Sequence, residues 1–176
     1  MIEPEHLRFS LADRLFGKNV VQNNLRSEVV EEVLTYVLDN RWHHSAGDWN
    51  SWDFEHINGC KLEVKQSAAR QTWGIKQGAK PSFDIAFRKG FWKGDVWYEH
   101  KHSKRNSDIY VFAWHSVIDD VCNHFDAWQW IFFVILEKDL PRQKTIRLSK
   151  IEKLTEGVGV DEVAARIEYA KTSLTS

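Results

Sequence analysis

Several scarcities in this chain exclude whole classes. Among its 176 residues Cys60 and Cys122 are the only cysteines. Two thiols cannot build a disulfide framework or a cysteine zinc site, so a reducing, cytoplasmic setting is expected. Charge of either sign is nearly balanced, at a formal net of -1. With no global basic field, a nucleic-acid partner has to be met by local patches. The longest apolar run, Trp130 to Leu136, is far too short to span a bilayer, and no membrane partner is expected. The opening MIEPEHLRFSLADRLFG lacks the basic region and apolar block of a signal peptide. Internal repeats, linkers of low complexity, glycine-rich phosphate loops and nucleophile elbows are missing too.

Apolar and aromatic mass is plentiful. Hydrophobic residues make up 43 % and aromatics 13 %, with nine tryptophans. A chain of this length can bury roughly 70 % of its unfolded surface, so one domain over 1–176 is expected.

Leu25, Val29, Val30, Val33, Leu34, Val37 and Leu38 recur at helical spacing, which predicts an amphipathic helix over 23–38 after a shorter one over 6–16. From Trp52 the pattern switches to alternation, giving a hairpin of 52–56 and 60–66. SFDIAFR alternates, with Phe83, Ile85 and Phe87 on one face. DIYVFAWH and WQWIFFVIL are apolar on both faces, as central strands are. TIRLSKI reads as a last strand and DEVAARIEYAK as a closing helix capped by Asp161. The fold class is α/β: a mixed five- to six-stranded sheet flanked by helices.

The hairpin WDFEHINGCKLEVK carries the chemistry. A two-residue Asn58-Gly59 turn would mix apolar and charged groups on each face. A three-residue loop, Ile57-Asn58-Gly59, with glycine in the left-handed position, sorts them. Phe54 then faces Leu62, Trp52 faces Val64, and Glu55 faces Lys61. Asp53 comes to lie across from Glu63, with Lys65 on the same face about 6.7 Å along the strand. Like charges directly opposite destabilise a sheet, and a divalent cation such as Mg²⁺ or Mn²⁺ would explain the pair. Weak repulsion near solvent, neutralised by Lys65, is the plain alternative. On the preceding helix Glu31 falls at the edge of the apolar stripe, as a third metal ligand or as an edge glutamate paired with a basic group.

These residues resemble the PD-(D/E)XK nuclease superfamily, the restriction-endonuclease-like fold. Its core is a helix carrying an acid, a hairpin carrying Asp and Glu-x-Lys, and further strands backed by helices. RSEVVEEVL, WDFEHINGCKLEVKQSA, RQTW, SFDIAFR, SDIYVFAWH and TIRLSKI follow in that order over 26–150. The likeness is greatest to an uncharacterised bacterial branch, in which a Glu-Val-Lys strand is followed by a Gln-Ser/Thr-Trp element. Trp52 stands where the superfamily's name has proline. The resemblance implies a Mg²⁺-dependent endonuclease, a hydrolase of phosphodiester bonds. Asp53, Glu63 and Glu31 would hold the metal, Lys65 would act at the attacking water, and Gln71 matches a polar position after the core motif. It equally allows a nuclease-fold module without turnover that binds nucleic acid or protein.

The segment 88–108 interleaves Arg88, Lys89, Lys93, Lys101, Lys104 and Arg105 with Phe91, Trp92, Trp97 and Tyr98. Basic groups neutralise phosphates while aromatic faces stack on bases, so this loop is the candidate DNA-binding contact, unless it is an ordinary solvated connection. A second basic region runs through Arg142, Lys144, Arg147, Lys150 and Lys153. His43-His44 and His100-x-His102 lack partners at zinc-finger spacing and read as surface groups. A homodimer is left open.

Overall fold

Val29, Val30 and Leu34 are buried along one side of α2 (Asn23–Val37), as their spacing requires. The preceding α1 (Pro4–Phe16) has proline in its first turn, where a missing N–H costs nothing, and buries none of its residues. The structure is a computed structural model, and it describes residues 2–45, 50–75, 80–93 and 95–174.

Five strands form the main sheet: β1 (Trp42–His44), β2 (Phe54–His56), β3 (Lys61–Ala68), β9 (Ile109–His115) and β10 (Trp130–Leu136), in that order across it. β1, β2 and β3 are antiparallel neighbours, β3 and β9 run parallel, and β10 returns antiparallel to β9. The protein is therefore mixed α/β with a mixed sheet.

Alternation on β3 assigns the two faces. Leu62 and Val64 join Val30, Leu34, Val111, Phe132, Val163 and Ile167 in a core between the sheet, α2 and α4 (Val160–Thr172). Glu63 and Lys65 point to the opposite face. There Tyr110 and Phe112, their register partners on β9, pack with Phe83, Ile85, Ile135, Ile146 and Ile151. That second core lies under β6 (Ser82–Asp84), β11 (Thr145–Arg147) and α3 (Leu148–Ile151). Two smaller hairpins complete the chain: β4 (Arg70–Gln71) with β5 (Gly74–Ile75), and β7 (Arg88–Lys93) with β8 (Val96–Lys104).

Several expectations are corrected. SFDIAFR does not join the main sheet: its first part, Ser82–Asp84, pairs with β11 in a separate two-stranded sheet, and Phe83 and Ile85 cover the second core. TIRLSKI is half strand and half helix, divided at Leu148. β10 is an edge strand despite its apolar run, with Ile131 partly exposed. Gly159, not Asp161, occupies the N-cap of α4, and Asp161 sits in the first turn. The segment 88–108 is largely a two-stranded hairpin, and β1 arises in a stretch too polar to signal a strand. Among the described residues, no helix is long and apolar enough to cross a membrane.

Candidate active site

The β2–β3 turn has the expected three-residue form. Phe54 faces Leu62, Glu55 faces Lys61, and Gly59 adopts φ 88°. Asn58 accepts a hydrogen bond from the Cys60 N–H at 3.0 Å, closing the loop. Phe54 and Leu62 are both buried, so a slip of one residue would drive Glu55 or Lys61 into the core.

Beyond Phe54 the ladder departs from the simple register. The Asp53 N–H donates to the Leu62 carbonyl at 3.0 Å, and the Val64 N–H donates to the Asp53 carboxylate at 2.6 Å. A side chain thus replaces the backbone carbonyl as acceptor, and Asp53 does not continue as a ladder partner of Glu63. Trp52 does not face Val64 either. Its ring lies 3.7 Å under the Lys61 ammonium and 5.6 Å from Phe91, while its N–H donates to Glu55 at 3.0 Å. Glu55 and Lys61 meet through this tryptophan, not as an ion pair.

Asp53, Glu63 and Lys65 nevertheless line one cleft of about 290 Å³, between the main sheet and the β7–β8 hairpin. Asp84, Arg88, Lys89, Trp97, Asn106 and Tyr110 are among the other residues of its wall. Lys65 is ion-paired with Glu63, and Ser107 donates to the other Glu63 oxygen at 3.3 Å. Burial, then the charges of Glu63 and Glu31, raise the Asp53 carboxyl to about 8, against which the Val64 N–H and Lys65 work only in part. Burial disfavours the Lys65 ammonium, yet Glu63, Asp53 and Asp84 together hold it above its ordinary value. Burial raises the Tyr110 phenol, which therefore stays protonated at neutral pH.

Glu31 turns inward, its carboxylate 2.8 Å from His44 Nε2 on β1. It reaches Asp53 through its charge. Among the described residues, Asp53, Glu63 and Glu31 do not form a set whose ligand atoms all lie within 4.8 Å of one another.

Gln71 lies elsewhere. Its carbonyl accepts from Arg26 at 3.1 Å and its amide donates to the Ala68 carbonyl at 2.6 Å, outside the acidic cleft. Arg26 is completely buried on α2, held by Gln66, Asn23 and Gln71 with no carboxylate among them, and burial lowers it to about 10. Gln71 therefore satisfies a buried guanidinium.

The basic residues divide as well. Arg88 and Lys89 reach the cleft, with Arg88 paired to Asp84. Lys93, Lys101 and Lys104 are exposed along the hairpin. Arg105 is buried, donating to the Ile85 carbonyl at 2.7 Å, to Glu137 at 3.0 Å and to the Pro141 carbonyl. Its expected place among nucleic-acid contacts is corrected: three acceptors hold it inside. Phe91 stacks on Tyr98 at 5.1 Å, and Trp97 remains partly exposed at the cleft.

Two features escaped sequence reading. Asp84 joins the cleft, its only signal being an acid between Phe83 and Ile85 on the alternate face. The second is a buried trio, His115, Cys122 and His124, whose ligand atoms lie within 4.8 Å of one another. Burial lowers both imidazoles, His124 to about 4, so both are neutral. Six residues separate His115 from Cys122, which matches no ordinary metal motif.

Set against protein-family models, curated proteins and solved structures, the chain finds no match.

Proposed function

We propose that the chain is a metal-dependent nuclease that hydrolyses phosphodiester bonds, with DNA as its first candidate substrate. The observation that carries this reading is the meeting of Asp53, Glu63 and Lys65 in one cleft, with Arg88 and Lys89 beside them.

The donor set suits a hard cation. Asp53 has one oxygen committed to Val64 and, among the described residues, a second without a hydrogen bond. Burial and neighbouring acids hold its proton, a disfavour that a dication beside it would reverse. Mg²⁺ or Mn²⁺, held by Asp53 and Glu63, would supply positive charge at the phosphate and a more acidic water. Glu31, released from His44, is the third carboxylate in reach by charge.

The chain's own groups do the rest. Lys65, kept charged by the acids around it, orients the attacking water or offsets negative charge growing on the phosphate. The water attacks phosphorus in line, and the bond opposite breaks with its electron pair leaving on the departing oxygen. Arg88 and Lys89 hold neighbouring phosphates, and Trp97 offers a face for a base.

One observation favours a second reading. Both Glu63 oxygens already have partners, Lys65 and Ser107, so this carboxylate is satisfied without an ion, as in a non-catalytic binding module. DNA hydrolysis in Mg²⁺ separates the two. The nuclease reading expects cleavage by the wild-type chain and not by Glu63→Ala or Lys65→Ala; equal activity in all three would sink it.

A further inference from the structure

His115, Cys122 and His124 differ from the acidic cleft in chemistry: the cleft offers carboxylate oxygens, this trio offers two imidazoles and one thiol. All three side chains are buried, at 0 %, 2 % and 0 % exposure. His115 Nδ1 lies 4.0 Å from Cys122 Sγ, while its Nε2 lies 3.2 Å from the Asn123 carbonyl. An Nε2–H donating to that carbonyl leaves the lone pair of Nδ1 facing the sulfur. A carbonyl on the far nitrogen is the usual support of a ligating histidine.

His124 supplies a second, independent observation. Its Nε2 is the one buried side-chain nitrogen or oxygen, among the described residues, without a hydrogen-bond partner. The Arg70 backbone favours the protonated ring but does not meet Nε2 at hydrogen-bond geometry. An orphaned polar atom inside a folded chain calls for a physical reason; here it is an N–H donor in the neutral ring, which becomes a ligand only after its hydrogen moves to Nδ1. The trio is also rigidly framed: the rings of His115 and His124 meet edge to face at 4.9 Å, and Trp130 closes against His115 at 5.0 Å.

We propose that His115, Cys122 and His124 form a three-ligand binding site for Zn²⁺, separate from the acidic cleft. One thiolate and two neutral imidazoles suit this borderline-soft ion, and carboxylate-seeking Mg²⁺ has no ligand here. With zinc about 2.3 Å from sulfur and about 2.0 Å from nitrogen, the His115–Cys122 separation closes by roughly half an ångström. Binding releases the Cys122 thiol proton to solvent.

Loading also moves a proton within His124. The Val21 N–H donates to its Nδ1 at 3.0 Å, so the neutral ring carries its hydrogen on Nε2. For Nε2 to ligate, that hydrogen transfers to Nδ1 and the Val21 bond is released. The His124 N–H, which donates to the Asn19 carbonyl at 2.8 Å, still ties this segment to the connection before α2.

The test uses Co²⁺ as a spectroscopic stand-in, on the chelator-stripped full chain. The site expects one equivalent to give the near-ultraviolet sulfur-to-cobalt charge-transfer band, with Zn²⁺ displacing it and raising the melting temperature. Cys60→Ser and the Asp53→Asn/Glu63→Gln pair keep the band. Cys122→Ser loses it, and His124→Gln weakens Co²⁺ binding at least tenfold. No band in the wild-type chain overturns the proposal, whatever the variants do. So does a band that survives Cys122→Ser or disappears with Cys60→Ser.

Discussion

The Val64 N–H donates to the Asp53 carboxylate at 2.6 Å, so an acid side chain takes the place of a carbonyl where the β2–β3 ladder stops. That bond fixes one Asp53 oxygen against the strand that carries Glu63 and Lys65. It also makes Asp53 hard to ionise without help, since burial and two neighbouring acids outweigh one N–H and one ammonium.

Stability without metal should therefore depend on pH. The folded Asp53 carboxyl, raised to about 8, holds a proton that the unfolded chain releases near pH 4. The stability tied to that proton is complete below about pH 4 and is lost as pH rises toward 8. Asp53→Asn keeps an oxygen for Val64 and removes the charge. It should be more stable than wild type at pH 8 by about 1–3 kcal/mol and lack this slope. Urea denaturation at pH 5 and pH 8 measures it.

Arg105 and its basic neighbours should separate cleanly. Arg105→Ala leaves Glu137 and two carbonyls without their donor and should cost about 3–5 kcal/mol of stability, read by urea denaturation. Lys101→Ala and Lys104→Ala, on the exposed hairpin, should leave stability within about 0.5 kcal/mol. They should weaken DNA binding, each lost phosphate contact lowering the salt slope by about 0.9. Titrations at several salt concentrations check this.

Gln71→Ala tests whether the motif position is structural. Removing its carbonyl deprives the buried Arg26 of one of three acceptors and should cost about 1–3 kcal/mol. Divalent-metal affinity should stay unchanged, because Gln71 does not reach the acidic cleft. Calorimetric titration and thermal unfolding of the same variant give both readouts.

The central hairpin was legible because its logic is local. Phe54 and Leu62 must share the buried face, and Gly59 alone accommodates the positive φ that makes a three-residue loop. Trp52 and Asp53 were not, because their places depend on distant partners: Lys61 and Phe91 draw the tryptophan to the other face, and the Ser45 N–H takes the Asp53 carbonyl. The β7–β8 hairpin was hidden by its exposure, since a strand without a buried face leaves no period in the sequence. Arg105 misled in the opposite way. A basic residue at the end of a basic run reads as surface, and only tertiary contacts reveal three acceptors around it. The trio of His115, Cys122 and His124 is closed by a loop whose path sequence spacing does not describe.

The claim on which the rest depends is that Asp53 and Glu63 together hold a divalent cation. Mn²⁺ titration followed by electron paramagnetic resonance measures this directly, by counting ions removed from free solution. The account requires one Mn²⁺ bound per chain at the acidic cleft, lost in Asp53→Asn and in Glu63→Gln and retained in Cys122→Ser. Wild-type protein that binds no Mn²⁺, or binding that both acid variants leave intact, would contradict it.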